Sequence, residues 1–239
     1  MAKRTPGTMR VVAGSAGGLR LESPAGADTR PTTERVREAV FGSIGVAARG
    51  ASVLDLYAGT GALAIEALSR GAARAVLVER DRGEAGVCRR NLDHTGFTAS
   101  GRVVEGDVER FLERPPPPEA SFAVVCCDAP YEAPDATIDA VLARLDAPGW
   151  CAPGAIIVVE RPSGSRCSPP SSWEHRFSRT YGDTLVHLWS TAADQRAEPD
   201  ASLDTQPDTQ PDTSPTPARH PGPEETTWPP PCARGPSTR

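Results

Sequence analysis

Twelve residues constrain this chain more than any others: Val53 to Ala64, V-L-D-L-Y-A-G-T-G-A-L-A. Val53, Leu54, Leu56 and Tyr57 surround Asp55 with apolar or β-prone side chains, the pattern of a strand buried on both faces of a parallel sheet. The strand has to stop at Gly59-Thr60-Gly61, because glycine takes backbone angles other residues resist and lets a ligand approach the main chain. Leu63, Ile65, Ala67 and Leu68 then continue with helical spacing. A strand, a glycine loop and a helix in that order belong to an open α/β sheet, whose ligands bind outside the carboxyl ends of the strands where strand order reverses.

The 239 residues, 38% of them hydrophobic, suffice for one α/β domain with appendages. The formal net charge of −5 conceals an asymmetry: residues 191–239 carry eight acids and four arginines, and residues 1–49 carry eight Lys/Arg and four acids. Basicity is therefore concentrated ahead of the glycine unit, where it can meet phosphates. Six cysteines show no C-x-x-C pair and no clustered histidine, which argues against a zinc site or a disulfide framework and for a reducing compartment. With no apolar run of ~18 residues and no signal-peptide pattern, a cytoplasmic protein without a membrane anchor is expected. No coiled coil or evident apolar patch argues for more than a monomer.

Ahead of the glycine unit, residues 9–13 alternate weakly, and Gly17-Gly18 precede Leu19-Arg20-Leu21, predicting a short hairpin. The stretch R-P-T-T-E-R-V-R-E-A-V-F-G-S-I, residues 30–44, predicts a helix capped by Thr32 or Thr33. Val36, Val40, Phe41 and Ile44 share its apolar face, with Arg30, Arg35 and Arg37 at or off that face. From spacing alone those arginines form a solvated face paired with Glu. Downstream, residues 75–79 predict a second buried strand. Its final residue, Glu79, stands 20 positions after Gly59, where nucleotide-binding sheets place an acid for ribose hydroxyls.

A helix is predicted at 81–94, and a strand at 102–105 followed by Gly106-Asp107. A further strand at 122–127 delivers Asp128-Ala129-Pro130-Tyr131. Adjacent Cys126 and Cys127 point to opposite faces of that strand, so they read as small buried residues rather than joint ligands. A helix at 135–145, a strand at 155–160, and a hairpin of 173–181 with 184–189 around Gly182-Asp183 complete the pattern. From residue 191 onward, eleven prolines and D-T-Q-P repeats predict a disordered tail.

Gly59-x-Gly61-x-x-Ala64 with a later acid fits a dinucleotide turn in its Gly/Ala form. Asp55 and the longer Tyr57-Ala58 loop ahead of the first glycine fit it poorly, and hydride transfer gives D-A-P-Y no role. Methyl transfer to a ring amine does. The lone pair of an exocyclic amine is delocalised into its base, so acceptors for both amine protons turn it toward the incoming carbon and favour the developing charge. Asp128 and the carbonyl of Ala129 are such acceptors at one strand end, and Tyr131 is a platform for a base swung out of its helix. The sulfonium of S-adenosylmethionine supplies the electrophile and no metal is required.

The segments 55–72 (D-L-Y-A-G-T-G-A-L-A-I-E-A-L-S-R-G-A), 30–41 (R-P-T-T-E-R-V-R-E-A-V-F), 128–131 (D-A-P-Y) and 181–184 (Y-G-D-T) together resemble the RsmD family of 16S ribosomal RNA guanine-N(2) methyltransferases. The resemblance covers roughly residues 9 to 190. It implies a Rossmann-like class I methyltransferase domain at 50–190, a seven-stranded, mostly parallel sheet with an antiparallel last strand, and an N-terminal hairpin and helix at 1–49 that contact RNA. It also implies that Asp55, Gly59 and Gly61 hold the methionine end of S-adenosylmethionine, Glu79 its ribose and Asp107 its adenine, with Tyr57 also a cofactor-binding residue. Asp128, Ala129, Pro130 and Tyr131 would be catalytic, and Arg30, Thr32, Arg35 and Arg37 would lie beside an RNA presented in a partly assembled small subunit.

The family's motif is D-P-P-Y, and Ala129 replaces its first proline. The main-chain carbonyl survives, Pro130 still biases Ala129 toward extended angles, and the missing ring frees the unbound loop by about 0.4–1 kcal/mol. A slower enzyme is expected rather than a dead one. Two other readings stay open: amine methylation of DNA adenine or another RNA, and a non-catalytic cofactor- and RNA-binding factor.

Overall fold

The computed structural model of the chain describes residues 9–23, 34–118 and 120–193. Arg30, Thr32, Thr33 and the expected tail beyond residue 193 lie outside these segments. Five strands run parallel: β1 (Ser52–Leu56), β2 (Arg74–Glu79), β3 (Gly101–Glu105), β4 (Phe122–Asp128) and β5 (Cys151–Pro162). β6 (Glu174–Tyr181) and β7 (Thr184–Ser190) close the sheet, whose order is β3-β2-β1-β4-β5-β7-β6. β7 pairs antiparallel with both of its neighbours and is the one reversed strand. The order reverses between β1 and β4, which opens a crevice over their carboxyl ends.

Successive side chains along each strand enter opposite cores. Val53, Val124, Cys126 and Val158 face one layer with the helices α1 (Glu34–Ile44), α2 (Ala62–Ser69) and α3 (Arg82–His94). Leu54, Leu56, Val125, Cys127 and Val159 face the other, with α4 (Val108–Leu112) and α5 (Asp135–Leu145). Cys126 and Cys127 thus part company into two cores, as adjacent strand residues must. β5 extends beyond its apolar run at 155–160 because β4 and β7 pair with it on both sides. α4 is too short for periodicity to announce it. The Asp107 carboxylate caps it by accepting from the Arg110 amide at 3.1 Å.

The N-terminal hairpin is present around the antiparallel bridge Arg10–Arg20, but it is not a separate appendage. Buried Glu66 on α2 accepts from the amides of Val12 (2.7 Å) and Ala13 (3.1 Å), and Ser69 Oγ accepts from the Ala16 amide (3.0 Å) while donating to the Ala13 carbonyl (2.5 Å). Gly14, at φ +89°, lies so close that an added Cβ would fall 1.9 Å from the Ser69 carbonyl oxygen. Val36, Val40, Phe41 and Ile44 of α1 enter the same core as β1 and α2. The expected boundary at residue 49 therefore does not separate two packing units; among the described residues both parts belong to one unit.

The expected boundary at 190 also moves. Thr191 Oγ1 accepts from the Ala155 amide (2.9 Å) and donates to the Ala152 carbonyl (3.0 Å), and the Gly154 amide donates to the Ala192 carbonyl (3.0 Å). Ending the chain after Ala193 should leave urea-unfolding stability and ligand affinity unchanged. Ending it after Ser190 should cost about 1–3 kcal/mol, the worth of the lost hydrogen bonds. Equal stability of the two truncations would contradict this placement.

Candidate active site

A cavity of about 730 Å³ lies over the carboxyl ends of β1, β2, β4 and β5, within the ordinary range for small-molecule sites. Seven carboxylates belong to its wall, Asp55, Glu79, Asp81, Glu84, Asp128, Glu132 and Glu160, against one guanidinium, Arg80. Such a wall suits a ligand carrying positive charge.

Asp55 is 1% exposed near the end of β1, and its Oδ2 accepts from the Ala64 amide in the first turn of α2 at 3.0 Å. Oδ1 is buried without a hydrogen-bond partner among the described residues. Burial pushes the carboxyl well above its usual range, the Ala64 amide opposes that rise, and the charges of Asp128 and Glu79 add to it. Tyr57 lines the cavity with φ +59°, a strained value for a non-glycine residue, and its hydroxyl reaches Glu109 Oε1 on α4 at 3.1 Å.

Glu79 ties the glycine loop to the next helix. Its Oε2 accepts from the Gly59 amide and its Oε1 from the Asp81 amide, both at 2.8 Å, and each oxygen keeps a lone pair for a ligand in the cavity. Gly59 lines the cavity at φ +53°. Gly61 stands behind the wall at φ +79°, where a Cβ would come within 2.9 Å of Leu77 Cδ2. Its contribution is therefore the shape of the loop. Asp107 also stands outside the cavity wall and spends one oxygen on capping α4.

At the end of β4, Asp128, Ala129, Pro130 and Tyr131 all line the cavity. Arg161 and Thr184 help to hold this loop. Arg161, 2% exposed on β5, donates Nη1 to the Pro130 carbonyl (3.0 Å) and Nη2 to the Ala133 carbonyl (2.5 Å), with Asp135 Oδ1 at 3.4 Å. The Tyr131 hydroxyl shares a 2.6 Å hydrogen bond with Thr184 Oγ1 at the start of β7. Tertiary contacts thus restrain the loop in which Ala129 replaces a proline.

The basic segment divides. Arg35 is exposed. Arg37 is 0% exposed, donates Nη2 to the Arg10 carbonyl at 2.6 Å, and feels the charges of Glu66, Glu34 and Glu160. A guanidinium without exposed surface offers nothing to RNA, so the expectation that Arg37 lies at an RNA entrance is corrected: the helix turns it inward toward buried acids. Met9, Glu84, Glu132 and Glu160 line the cavity without having been singled out by their sequence context, and Thr184 does so as the last residue of Y-G-D-T, where no site role was expected of it. The feature that marks Glu79, a carboxylate closing an apolar run, is equally present at Glu160, whereas nothing local marks Met9. Among the described residues no group of three or more His, Cys, Asp or Glu is placed to hold a metal ion, and no helix is long and apolar enough to cross a membrane.

The family model described as conserved hypothetical protein 95 matches residues 9–190. The ribosomal RNA small subunit methyltransferase D of Escherichia coli (strain K12) is 31% identical over 195 residues, covering 81% of this chain and 96% of that protein. The Haemophilus influenzae protein of the same name is 28% identical over 184 residues, 77% of this chain and 94% of its own length. The solved Escherichia coli structure of yhhF superposes with a TM-score of 0.69 at 32% identity, covering 78% of this chain and 99% of that one. An RNA methyltransferase from Salinibacter ruber in complex with S-adenosyl-L-homocysteine, at 19% identity and TM-score 0.52, shares the fold. The strand order, the glycine loop under an acidic cavity and the full-length match to these relatives agree: this chain belongs to the RsmD family, the family of ribosomal RNA small subunit methyltransferase D.

Proposed function

We propose that this protein transfers a methyl group from S-adenosylmethionine to the exocyclic 2-amino group of a guanine in small-subunit ribosomal RNA. The observation that carries this reading is the D-A-P-Y loop at the end of β4 opening into the same acid-lined cavity as the glycine loop. The cavity fits the cofactor by charge, since a sulfonium and an ammonium together suit a wall of carboxylates, and by the buried, unpartnered Asp55 Oδ1, which is an acceptor for an ammonium. Asp55, Tyr57 and Gly59 would hold the methionine end, with Gly61 shaping the loop, and Glu79 would accept from the ribose. When bound, S-adenosylmethionine supplies an electrophilic methyl carbon on sulfur.

The remaining work falls to the chain. Asp128 and the Ala129 carbonyl accept the two amine protons of a flipped base and aim its lone pair at that carbon. Tyr131 stacks under the base, with its hydroxyl held by Thr184, and Arg161 keeps the Pro130 carbonyl from drifting. Preorganisation of this kind lowers the barrier because the acceptors need no reorientation as charge develops. The exposed Arg35, with Arg30 and Thr32, would meet RNA phosphates. The substrate would be a partly assembled small-subunit particle and the protein a cytoplasmic monomer.

Label transfer tests the reading. Methyl-labelled S-adenosylmethionine incubated with small-subunit particles lacking the modification should yield labelled 2-methylguanosine on nucleoside analysis. Absence of label from a preparation that binds the cofactor would overturn it. Two further outcomes concern the cofactor. Glu79→Ala should weaken its binding by about 1.5–3 kcal/mol, the worth of a hydrogen bond to a charged group; a loss under ~1 kcal/mol by calorimetry would remove Glu79 from the ribose. Because burial favours the protonated form of Asp55, an ammonium placed beside it should expel that proton. Cofactor affinity should accordingly rise with pH, and calorimetry in buffers of differing ionisation enthalpy should register proton release.

A further inference from the structure

The acceptor end of the cavity holds a carboxylate for which the two-acceptor mechanism has no use. Glu160 ends the part of β5 that pairs with β4, as Asp128 ends β4, and the two residues are direct partners in the parallel ladder. Val158 and Cys126, two positions earlier on their strands, lie in the same core, so Glu160 and Asp128 project from the same face of the sheet. Both line the cavity, about one strand spacing (~4.8 Å) apart. Glu160 is 3% exposed, and a carboxylate buried that deeply needs a compensating charge. Buried Arg37 on α1 lies within electrostatic reach of Glu160 and contributes positive charge.

We propose that Glu160 is the base-reading residue of this site, accepting the ring N1–H of guanine beside Asp128, which takes a proton of the 2-amino group. This assignment rests on the proposed guanine methylation. Guanine presents N1–H and the 2-amino group side by side as donors on its Watson–Crick edge, whereas adenine presents an unprotonated N1 there. Two carboxylates on neighbouring strand ends match the guanine edge and meet adenine N1 with a lone pair against a lone pair. Discrimination of this kind is large because the wrong base leaves a buried carboxylate unpaired.

The test removes N1–H without touching the reacting amine. Once the methylated position has been mapped with the wild-type protein, particles are reconstituted with 2-aminopurine there, a base that keeps the 2-amino group and lacks N1–H. With guanine, Glu160→Gln should lower kcat/KM by roughly 10-fold, the difference between a charged and a neutral acceptor, while the dissociation constant for S-adenosylmethionine stays within about threefold. With 2-aminopurine, whose N1 is a bare lone pair, Glu160→Gln should turn over as fast as wild type or faster, because its amide can donate where the carboxylate cannot. Glu160→Asp keeps a charge beside Arg37 but withdraws it by one methylene, and should show a smaller loss confined to guanine. Equal losses on both bases for either variant would show a merely structural Glu160 and overturn the assignment. Absence of methyl transfer by wild type to any guanine would instead overturn guanine methylation itself, and the assignment with it.

Discussion

Asp128→Ala should lower methyl transfer by roughly 10²- to 10³-fold, the range for losing one preorganised group aimed at developing charge, with affinity for S-adenosylmethionine unchanged within about threefold. The asymmetry follows from position. Asp128 ends β4 opposite Glu160, on the acceptor side of the cavity, whereas the glycine loop and Glu79 belong to β1 and β2. Asp128→Asn keeps an acceptor oxygen of the same reach and should lose less. Single-turnover rates beside calorimetric dissociation constants separate the two effects. If Asp128→Ala instead abolished cofactor binding and left the chemistry of the bound fraction intact, Asp128 would belong to the cofactor's half of the cavity.

Replacing Arg37 by alanine should destabilise the fold by about 3–5 kcal/mol in urea unfolding, the cost of leaving buried charge without its partner. Glu160 then loses a nearby positive charge and the Arg10 carbonyl loses its donor, whereas Glu66 keeps Arg70 Nε (2.6 Å) and the Val12 and Ala13 amides. Arg35→Ala, two residues earlier and exposed, should leave stability within ~0.5 kcal/mol. Its effect should fall on RNA: weaker binding to small-subunit particles, with the slope of log K against log salt reduced by about 0.7–0.9, one phosphate contact. A stable Arg37→Ala, or an Arg35→Ala that unfolds as readily, would show that the two arginines of R-V-R had been assigned the wrong way round.

The sheet was legible because its central strands carry no competing signal. β1 is buried at all five positions, and its apolar run stops at glycines that only a loop requires. The carboxylates closing β2 and β4 were legible for a related reason: a charged residue at the end of an apolar strand has no packing role and so points to the crevice. The same rule applies to Glu160, whose weight appears only when the ladder sets it opposite Asp128. α4 was not legible, since five residues do not complete two turns of a helical pattern. Asp107 reads equally well as a cap and as a ligand, and its local sequence contains nothing to separate the two.

Arg35 and Arg37 show where local reasoning stops. A helical period places both beside the apolar stripe, and nothing within one helix distinguishes an arginine aimed at solvent from one aimed at buried acids. That depends on Glu66 in α2 and Glu160 in β5, respectively 29 and 123 positions from Arg37 along the chain. Likewise, the residues that hold the D-A-P-Y loop, Arg161 and Thr184, lie more than 25 positions beyond it and meet it only because β5 and β7 pair beside β4.

The sequence by itself determined the Rossmann-like sheet, the place of its crevice and the acceptor motif, because each is written in a short run where burial period, glycine and strand-end charge coincide. Only the tertiary structure decided which arginine is buried, what restrains a loop lacking its first proline, and which carboxylates share a wall. Those properties belong to pairs of residues far apart in the chain, and their energies arise from burial and approach, which no single segment contains.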